Sequence, residues 1–190
     1  SGAGHESAQP RRRILRDLRL ARSERLRVSA ALLVALGVGA LLGAPLPQSV
    51  VADRLVIDKS ERTLTVVWHG VPLKTYRVAL GGAPTGAKDR QGDERTPEGV
   101  YTVDRRLENS AFHRALHLSY PDREDIAAAR AAGVKPGGDI AIHGLRDGFA
   151  WVGSAHTLFD WTDGCIALTN EEIEELWRAV PAGTKVEIKP

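Results

Sequence analysis

Short segments that are rich in β-branched and other apolar residues, with frequent apolar/polar alternation, fill most of the chain after residue 53 and predict β-strands. The segments 54–58 and 63–68 are separated by the polar residues 59–62, as a β-hairpin requires. Further strands are predicted at 73–80, 99–103, 115–119, 138–143 and 185–188. The pattern therefore predicts a mainly β fold, either a sandwich or a barrel-like body.

Two segments have the pattern of a helix rather than a strand. Residues 125–132 form one of them, and residues 169–180 form the other. The second opens on Thr169, a good capping residue, and places Ile173 and Leu176 on one face. We therefore expect one or two short helices beside the strands.

The N-terminal part of the chain has a different pattern. Eight arginines precede residue 28, and residues 28–42 then contain no charge; the apolar character continues to about residue 48. This order is typical of the n-region and h-region of a signal sequence, although a buried core helix is the alternative. We predict that residues 1–52 form an Arg-rich cytoplasmic leader with an N-terminal hydrophobic helix, acting as a cleaved signal or a retained membrane anchor.

The distribution of charge affects the choice of function. The net charge is +2, but the arginines of the leader carry the excess and the remainder is slightly acidic. A nucleic-acid-binding domain needs a basic surface on the folded part, so this class is disfavoured. Residues 53–190 are predicted to form a catalytic domain instead.

Cys165 is the only cysteine and cannot form an intramolecular disulfide. It lies in the segment 161–170, WTDGCIALTN, and His143 ends the segment 137–143, GGDIAIH. A thiol becomes an effective nucleophile when an imidazole or a helix N-terminus lowers its pKa. Cys165 and His143 are therefore candidate nucleophile and base, and Gly164 makes nearby N–H groups available for an oxyanion hole. The alternative for Cys165 is a small buried apolar residue.

Other polar and aromatic residues near these motifs allow two interpretations each. Asp163 is expected to cap the following helix or to orient a histidine, and His117 to line the same pocket or to fill a polar site in the core. His113 and His156 are expected at the surface. Three aromatic residues, Phe149, Trp151 and Trp161, are expected to form a lid on the cleft or to serve in packing.

Four side chains offer ligand types that suit zinc: Cys165, His143, His117 and Asp139. The chain contains no C-x-x-C spacing, so we predict neither a metal nor another cofactor.

Four segments together resemble the YkuD-like L,D-transpeptidase catalytic domain. They are 92–101 (GDERTPEGVY), 117–121 (HLSYP), 137–144 (GGDIAIHG) and the cysteine motif, and the last has the form seen in the YafK-like branch. The resemblance covers about residues 53–189. It implies a YkuD-like fold in which Cys165 is the nucleophile and His143 the general base, with Gly164 and Thr162 at the corresponding motif positions.

The cysteine motif departs from the commoner family pattern at two positions. Asp163 stands where that pattern has a second histidine, and Ala167 stands where it has Arg or Asn. The resemblance implies that another residue, Arg146 or Arg105, supplies the missing polar contact to the substrate. Gly144, after the histidine, is a further candidate substrate-site residue.

The resemblance implies a peptidoglycan L,D-transpeptidase that forms a thioester with stem peptides and transfers the acyl group to an amine. The expected location is the bacterial cell envelope, on the periplasmic side, with the membrane and an envelope protein as further partners. Three alternatives remain: an L,D-carboxypeptidase or amidase, a non-catalytic wall-binding module, and a redox or metal-binding protein that uses Cys165.

Overall fold

The computed structural model describes residues 44–190. The arginine-rich leader and the predicted hydrophobic helix lie almost entirely outside the described residues, and their predictions stay predictions. No helix in the described part is both long and apolar enough to cross a membrane.

Residues 44–190 form a mainly β structure with two α-helices and one 3₁₀ segment. The strands are β1 (Arg54–Asp58), β2 (Thr63–Trp68), β3 (Val71–Arg77), β4 (Gly99–Ser110), β5 (His113–Leu118), β6 (Ala141–His143), β7 (Ile166–Ala167) and β8 (Lys185–Lys189). The helices are α1 (Arg123–Ala131) and α2 (Asn170–Ala179), and the 3₁₀ segment is Ala150–Leu158. The predicted fold class is confirmed for this part of the chain.

The strands form one sheet in the order β3-β2-β1-β8-β4-β5-β6-β7. Two backbone hydrogen bonds join the two ends of this sheet. The Ala79 N–H, just after β3, donates to the carbonyl oxygen of Ala167 in β7 at 3.1 Å, and the Ala167 N–H donates to the carbonyl oxygen of Ala79 at 2.9 Å. The sheet therefore closes on itself as a barrel-like body. The closure also places the chain after β3 beside the cysteine motif.

Strands β1 and β2 have the predicted bounds, whereas the bounds of the other predicted strands differ and β7 was not predicted. β3 begins and ends earlier, and β6 is only three residues long. β4 continues seven residues beyond Val103 because it pairs with β5 there, although most of that outer half is exposed and charged. Hydrophobic alternation does not reveal a strand that is held by its partner rather than by a buried face.

Helix α2 covers one side of the β5–β6 region and completes the core. Its side chains Ile173 and Leu176 are fully buried, as the sequence predicts. Thr169 caps the helix by accepting the Glu172 N–H, and the Glu172 side chain accepts the Thr169 N–H in return. This capping box fixes where the helix begins.

Residues that precede β1 also contribute to the core. Leu46, Val50 and Ala52 are buried, although the sequence pattern assigns them to the leader. The Ala52 N–H donates to the carbonyl oxygen of Ala179 at 2.8 Å. This segment therefore packs against the end of α2.

Candidate active site

Strands β6 and β7 bring Cys165 and His143 together. The two strands are parallel, with Ile142 opposite Ile166 and His143 opposite Ala167. Cys165 lies two positions before Ala167, immediately before β7. Side chains two positions apart in an extended segment face the same side, so Cys165 and His143 project in the same direction. Both line one cavity of about 410 Å³, which we call the cleft.

The His143 ring is buried and held in a defined orientation. Its Nδ1 donates to the carbonyl oxygen of Gly144 at 2.7 Å, which leaves Nε2 as the acceptor of the neutral ring. The Phe112 ring centroid lies 4.5 Å away and the Trp161 ring 6.1 Å away. Burial lowers the pKa of His143, so the ring is neutral near pH 7 and suited to accept a proton. Phe112 carries no motif, which is why the sequence pattern did not reveal it.

Gly144 allows the end of β6 to lie against α2. A Cβ at this position would be 2.8 Å from Oδ1 of Asn170 and 3.0 Å from Cγ2 of Ile173. The same Asn170 oxygen accepts the Leu145 N–H at 2.8 Å. Gly144 therefore supports His143 through backbone packing.

Cys165 is partly exposed in the cleft, with Sγ 3.5 Å from the carbonyl oxygen of Asp139. Burial raises the pKa of the thiol, and the negative charges of Asp163 and Asp139 raise it further, against a hydrogen bond from the backbone of Ala141. The expectation of a lowered thiol pKa was wrong. α2 begins only at Asn170, so no helix N-terminus lies at the cysteine.

Thr162 holds the turn that presents the cysteine. Its hydroxyl accepts the Gly164 N–H at 3.1 Å and donates to the Cys165 carbonyl oxygen at 2.7 Å. Gly164 has φ +121°, and a Cβ there would lie 2.4 Å from the Arg95 carbonyl oxygen. Glycine is therefore required at this position, but its N–H is already bonded to Thr162.

The two unusual motif residues have different environments. Asp163 is exposed and lines the cleft, and it does not cap α2, because Thr169 does. Ala167 is fully buried and pairs with Ala79. Its methyl group offers no polar contact to a substrate.

His117 lines the cleft and belongs to a charged network. Its Nδ1 lies 2.6 Å from Oδ1 of Asp104 and its Nε2 lies 2.7 Å from the guanidinium of Arg105. Arg105 can only donate, so Nε2 accepts and Nδ1 carries the proton. His117 therefore orients the Arg105 side chain beside the cleft.

Arg146 is exposed at the edge of the cleft, and its guanidinium forms no ion pair with any residue of 44–190. Of the two proposed substitutes for the missing polar contact, Arg105 is bound to His117 and Arg146 is available. Both line the cleft. Their roles stay predictions.

The aromatic and histidine predictions have mixed outcomes. His113 is half-buried and contacts Glu174 at 2.8 Å. His156 is buried, so its expected surface position was wrong; the 3₁₀ segment turns this side chain inward toward Trp161. Trp151 is 82% exposed, and Trp161 lines the cleft beside His143.

Residues 44–190 contain no group of three or more Cys, His, Asp and Glu side chains arranged to hold a metal ion. Asp139, one of the four ligands considered, has an almost fully exposed side chain and contacts Arg105 at 3.9 Å.

The closed sheet thus places a cysteine, just before β7, and a histidine, at the end of β6, in one cleft. The model of the YkuD L,D-transpeptidase catalytic domain family matches residues 52–188, and the chain belongs to this family. A relative in Escherichia coli (strain K12), named "Putative L,D-transpeptidase YafK", is 32% identical over 130 residues. That match covers 65% of this chain and 45% of the relative, and it supports the YafK-like form of the motif.

Solved structures support the fold. The helical cell shape determining protein Pgp2 from Campylobacter jejuni is 22% identical, with a TM-score of 0.55 over 74% of this chain and 48% of that chain. Bd1075 from Bdellovibrio bacteriovorus is 21% identical, with a TM-score of 0.51 over 78% of this chain and 51% of that chain. The chain spans about half the length of these proteins.

Proposed function

We propose that the chain is a peptidoglycan L,D-transpeptidase that uses Cys165 as nucleophile and His143 as general base. The observation that carries the proposal is the pairing of β6 and β7, which directs both side chains into one cleft. The bond from His143 Nδ1 to Gly144 leaves Nε2 to accept the thiol proton. Family membership supports stem peptides as the substrate.

The reaction consists of two acyl transfers. Sγ of Cys165 attacks the carbonyl that follows the diaminopimelate centre while His143 Nε2 takes the thiol proton. The C–N bond then breaks, His143 returns the proton to the leaving amine, and a thioester remains. An amine of another stem, or of an envelope protein, attacks the thioester and releases Cys165 as the thiol.

The negative oxygen of each tetrahedral intermediate needs hydrogen-bond donors. The Gly164 N–H already donates to Thr162, so we assign the adjacent Cys165 N–H as the backbone donor. Arg146 is assigned to a carboxylate of the substrate, since its guanidinium is exposed at the cleft without an ion pair within residues 44–190. Arg105, oriented by His117, is assigned to a second anionic group of the stem peptide.

The test is detection of the acyl-enzyme by intact mass after incubation with stem tetrapeptide or a carbapenem. Wild-type protein is expected to gain one acyl group, and Cys165→Ala none. His69→Asn is a control, because His69 is exposed in the β2–β3 turn and its positive φ suits asparagine. Binding of sacculi by a wild-type protein that forms no adduct would instead support a wall-binding module.

Hydrolysis of the thioester is the second candidate function. The observation that favours it is the buried methyl group of Ala167, which replaces the polar Arg or Asn of the commoner motif. A site with fewer contacts for an acceptor amine holds that amine less firmly against competition from water. Mass spectrometry of digested sacculi distinguishes new cross-links from trimmed stems or released proteins.

We further propose that the catalytic domain acts on the periplasmic side of the bacterial envelope. The support is the pattern of eight arginines followed by the uncharged residues 28–42. Fusion of a reporter that is active only outside the cytosol, after residue 190, tests this topology. An active cytosolic reporter at the same position would contradict it.

A further inference from the structure

A second cavity, of about 280 Å³, adjoins the cleft; we call it the side cavity. Arg146 and Trp161 line both spaces. The other walls are mainly apolar and include Phe149, Val152 and Phe159. The proposed acyl transfer assigns no role to these three residues.

The side cavity contains polar atoms without partners. His156 is only 3% exposed and lines the cavity, yet neither of its ring nitrogens has a hydrogen-bond partner within residues 44–190. The indole Nε1 of Trp161 is buried and unpaired in the same way. Buried polar groups of native proteins nearly always have a partner, because leaving one unpaired costs free energy.

These atoms define the chemistry of a ligand. Burial lowers the pKa of His156, and the nearby His143 lowers it further, so the neutral ring offers one donor and one acceptor. Trp161 offers one donor. A hydroxyl or a primary amide at the end of an apolar group can donate to the histidine and accept from the tryptophan.

Trp161 connects the side cavity to His143. The Trp161 ring centroid is 6.1 Å from the His143 ring and 6.5 Å from the His156 ring. In the proposed reaction His143 protonates the leaving amine. The part of the substrate that carries this amine, which we call the amine component, therefore has to lie beside His143. The incoming amine of the second step attacks from the same position.

We propose that the side cavity binds the side chain of the amine component, while Arg146 binds its carboxylate. The inference rests on the proposed function, and it names the amine component as an amino acid or peptide end. Its side chain is larger than a methyl group, apolar along its length, and ends in a hydroxyl or amide. His156 and Trp161 are then specificity-determining residues.

Binding is tested without catalysis in the 190-residue chain that carries Cys165→Ala. Nitrogen NMR follows the His156 ring and the Trp161 indole while both enantiomers of tyrosine, phenylalanine and alanine are added. Tyrosine is expected to shift both signals and to bind about tenfold more tightly than alanine, with phenylalanine between them. If either signal stays unshifted with every amino acid tested, the inference is overturned.

Two variants separate the polar contacts from the shape of the cavity. Trp161→Phe keeps an aromatic ring but removes the indole N–H together with its five-membered ring, and it is expected to reduce tyrosine binding to the level of phenylalanine. Val152→Trp fills the cavity and is expected to abolish the preference over alanine. Trp151→Phe is the matched control, because Trp151 is 82% exposed and does not line the cavity.

Transfer reactions then distinguish this inference from the proposed function. Wild-type enzyme receives one acyl donor and an equimolar mixture of tyrosine and alanine, and mass spectrometry measures the two products. Transfer without preference for tyrosine, unchanged by Trp161→Phe, would overturn the inference and leave the proposed function standing. Amino-acid binding at His156 without any acylation of wild-type Cys165 would leave the site standing and overturn the proposed function.

Discussion

The two side chains of the proposed catalytic pair have pKa shifts in opposite directions. Burial lowers the pKa of His143 below 6.5, and burial raises the pKa of Cys165 above 9.0. Between these values the imidazole is unprotonated and the thiol is protonated, so the resting pair is neutral. The thiol proton therefore has to move to Nε2 as the substrate is attacked.

The neutral pair predicts a defined pH dependence of acylation. As pH falls through the lowered pKa of His143, the ring becomes charged and can no longer accept a proton, so the rate falls only below pH 6.5. The rate stays level toward alkaline pH, because the raised pKa of the thiol delays formation of the thiolate. Carbapenem acylation rates between pH 5 and 10 measure this profile, and an acidic limb centred above pH 7 would contradict it.

Removal of the base changes both the size and the shape of this profile. His143→Ala is expected to slow acylation at pH 7 by ~10²–10⁴-fold, the usual contribution of a general base. The remaining rate should rise about tenfold per pH unit as the thiolate forms. His69→Asn should keep the wild-type profile, and a flat profile in His143→Ala would show that the thiol ionises without this histidine.

The close approach of Gly144 to α2 gives a second prediction at the residue scale. In Gly144→Ala the new methyl group meets Oδ1 of Asn170 and Cγ2 of Ile173, at 2.8 and 3.0 Å before relaxation. We expect a loss of about 1–3 kcal/mol in the free energy of unfolding, together with slower acylation because His143 shifts. Denaturant unfolding and adduct formation measure the two effects.

Gly138→Ala provides the control for this experiment. The nearest atom to a Cβ at Gly138 is Cδ of Pro121, at 4.0 Å, so the methyl group has room. Its stability should be equal to that of the wild type or slightly higher, since alanine restricts the unfolded chain. Equal unfolding midpoints for the two variants would refute the packing argument at Gly144.

At the scale of elements, α2 connects the core to His143, the proposed general base. Its buried face includes Ile173 and Leu176, and its first residue, Asn170, accepts the Leu145 N–H after β6. The Thr169 cap fixes where this first turn lies. A change in the cap should therefore reach the site as well as the core.

Thr169→Ala tests this connection. Loss of the cap leaves the Glu172 N–H without its partner and is expected to cost about 1 kcal/mol of stability. Asp122→Ala removes the equivalent cap from α1 and should cost a similar amount. Chemical denaturation measures both, and only Thr169→Ala is expected to slow acylation; an equal effect of the two variants on acylation would contradict the connection.

The elements differ in how far the sequence reveals them. β1, β2 and α2 carry clear patterns because one face of each is buried, and their positions were predicted. The outer half of β4, which is mostly exposed and is held by its hairpin partner β5, and the 3₁₀ segment carry no such pattern. The buried His156 belongs to the second group, since nothing in its local sequence separates a buried histidine from an exposed one.

The site was predicted in its composition more than in its electrostatics. Cys165 and His143 carry motif glycines beside them, and the structure places both in one cleft. The thiol pKa depends on burial and on the charges of Asp163 and Asp139, which only the folded chain brings together. The bond between Thr162 and the Gly164 N–H likewise depends on the turn geometry.

At the scale of the whole molecule, a buried carboxylate ties the segment before β1 to the barrel-like body. Glu175 of α2 accepts hydrogen bonds from Lys74, from the Tyr76 hydroxyl and from the Leu46 N–H. Burial alone would raise the pKa of Glu175, but these hydrogen bonds and the Lys74 charge together lower it. The charged form therefore holds three separate parts of the chain together.

The lowered pKa of Glu175 predicts how stability depends on pH. A carboxylate whose folded pKa lies below the unfolded value of 4.5 stabilises the fold fully above that value, and the contribution is lost as pH falls through the folded pKa. Glu175→Ala should lower the free energy of unfolding by about 3 kcal/mol at pH 7, because Lys74 and Tyr76 lose a buried partner. The deficit should shrink below pH 4.5, where the wild type loses the same contribution.

Glu171→Ala, on the exposed first turn of α2, should stay within about 0.5 kcal/mol of the wild type. Denaturant unfolding at pH 7 and pH 3 measures both variants, and a deficit that is constant with pH would show that the charge of Glu175 does not hold these parts together.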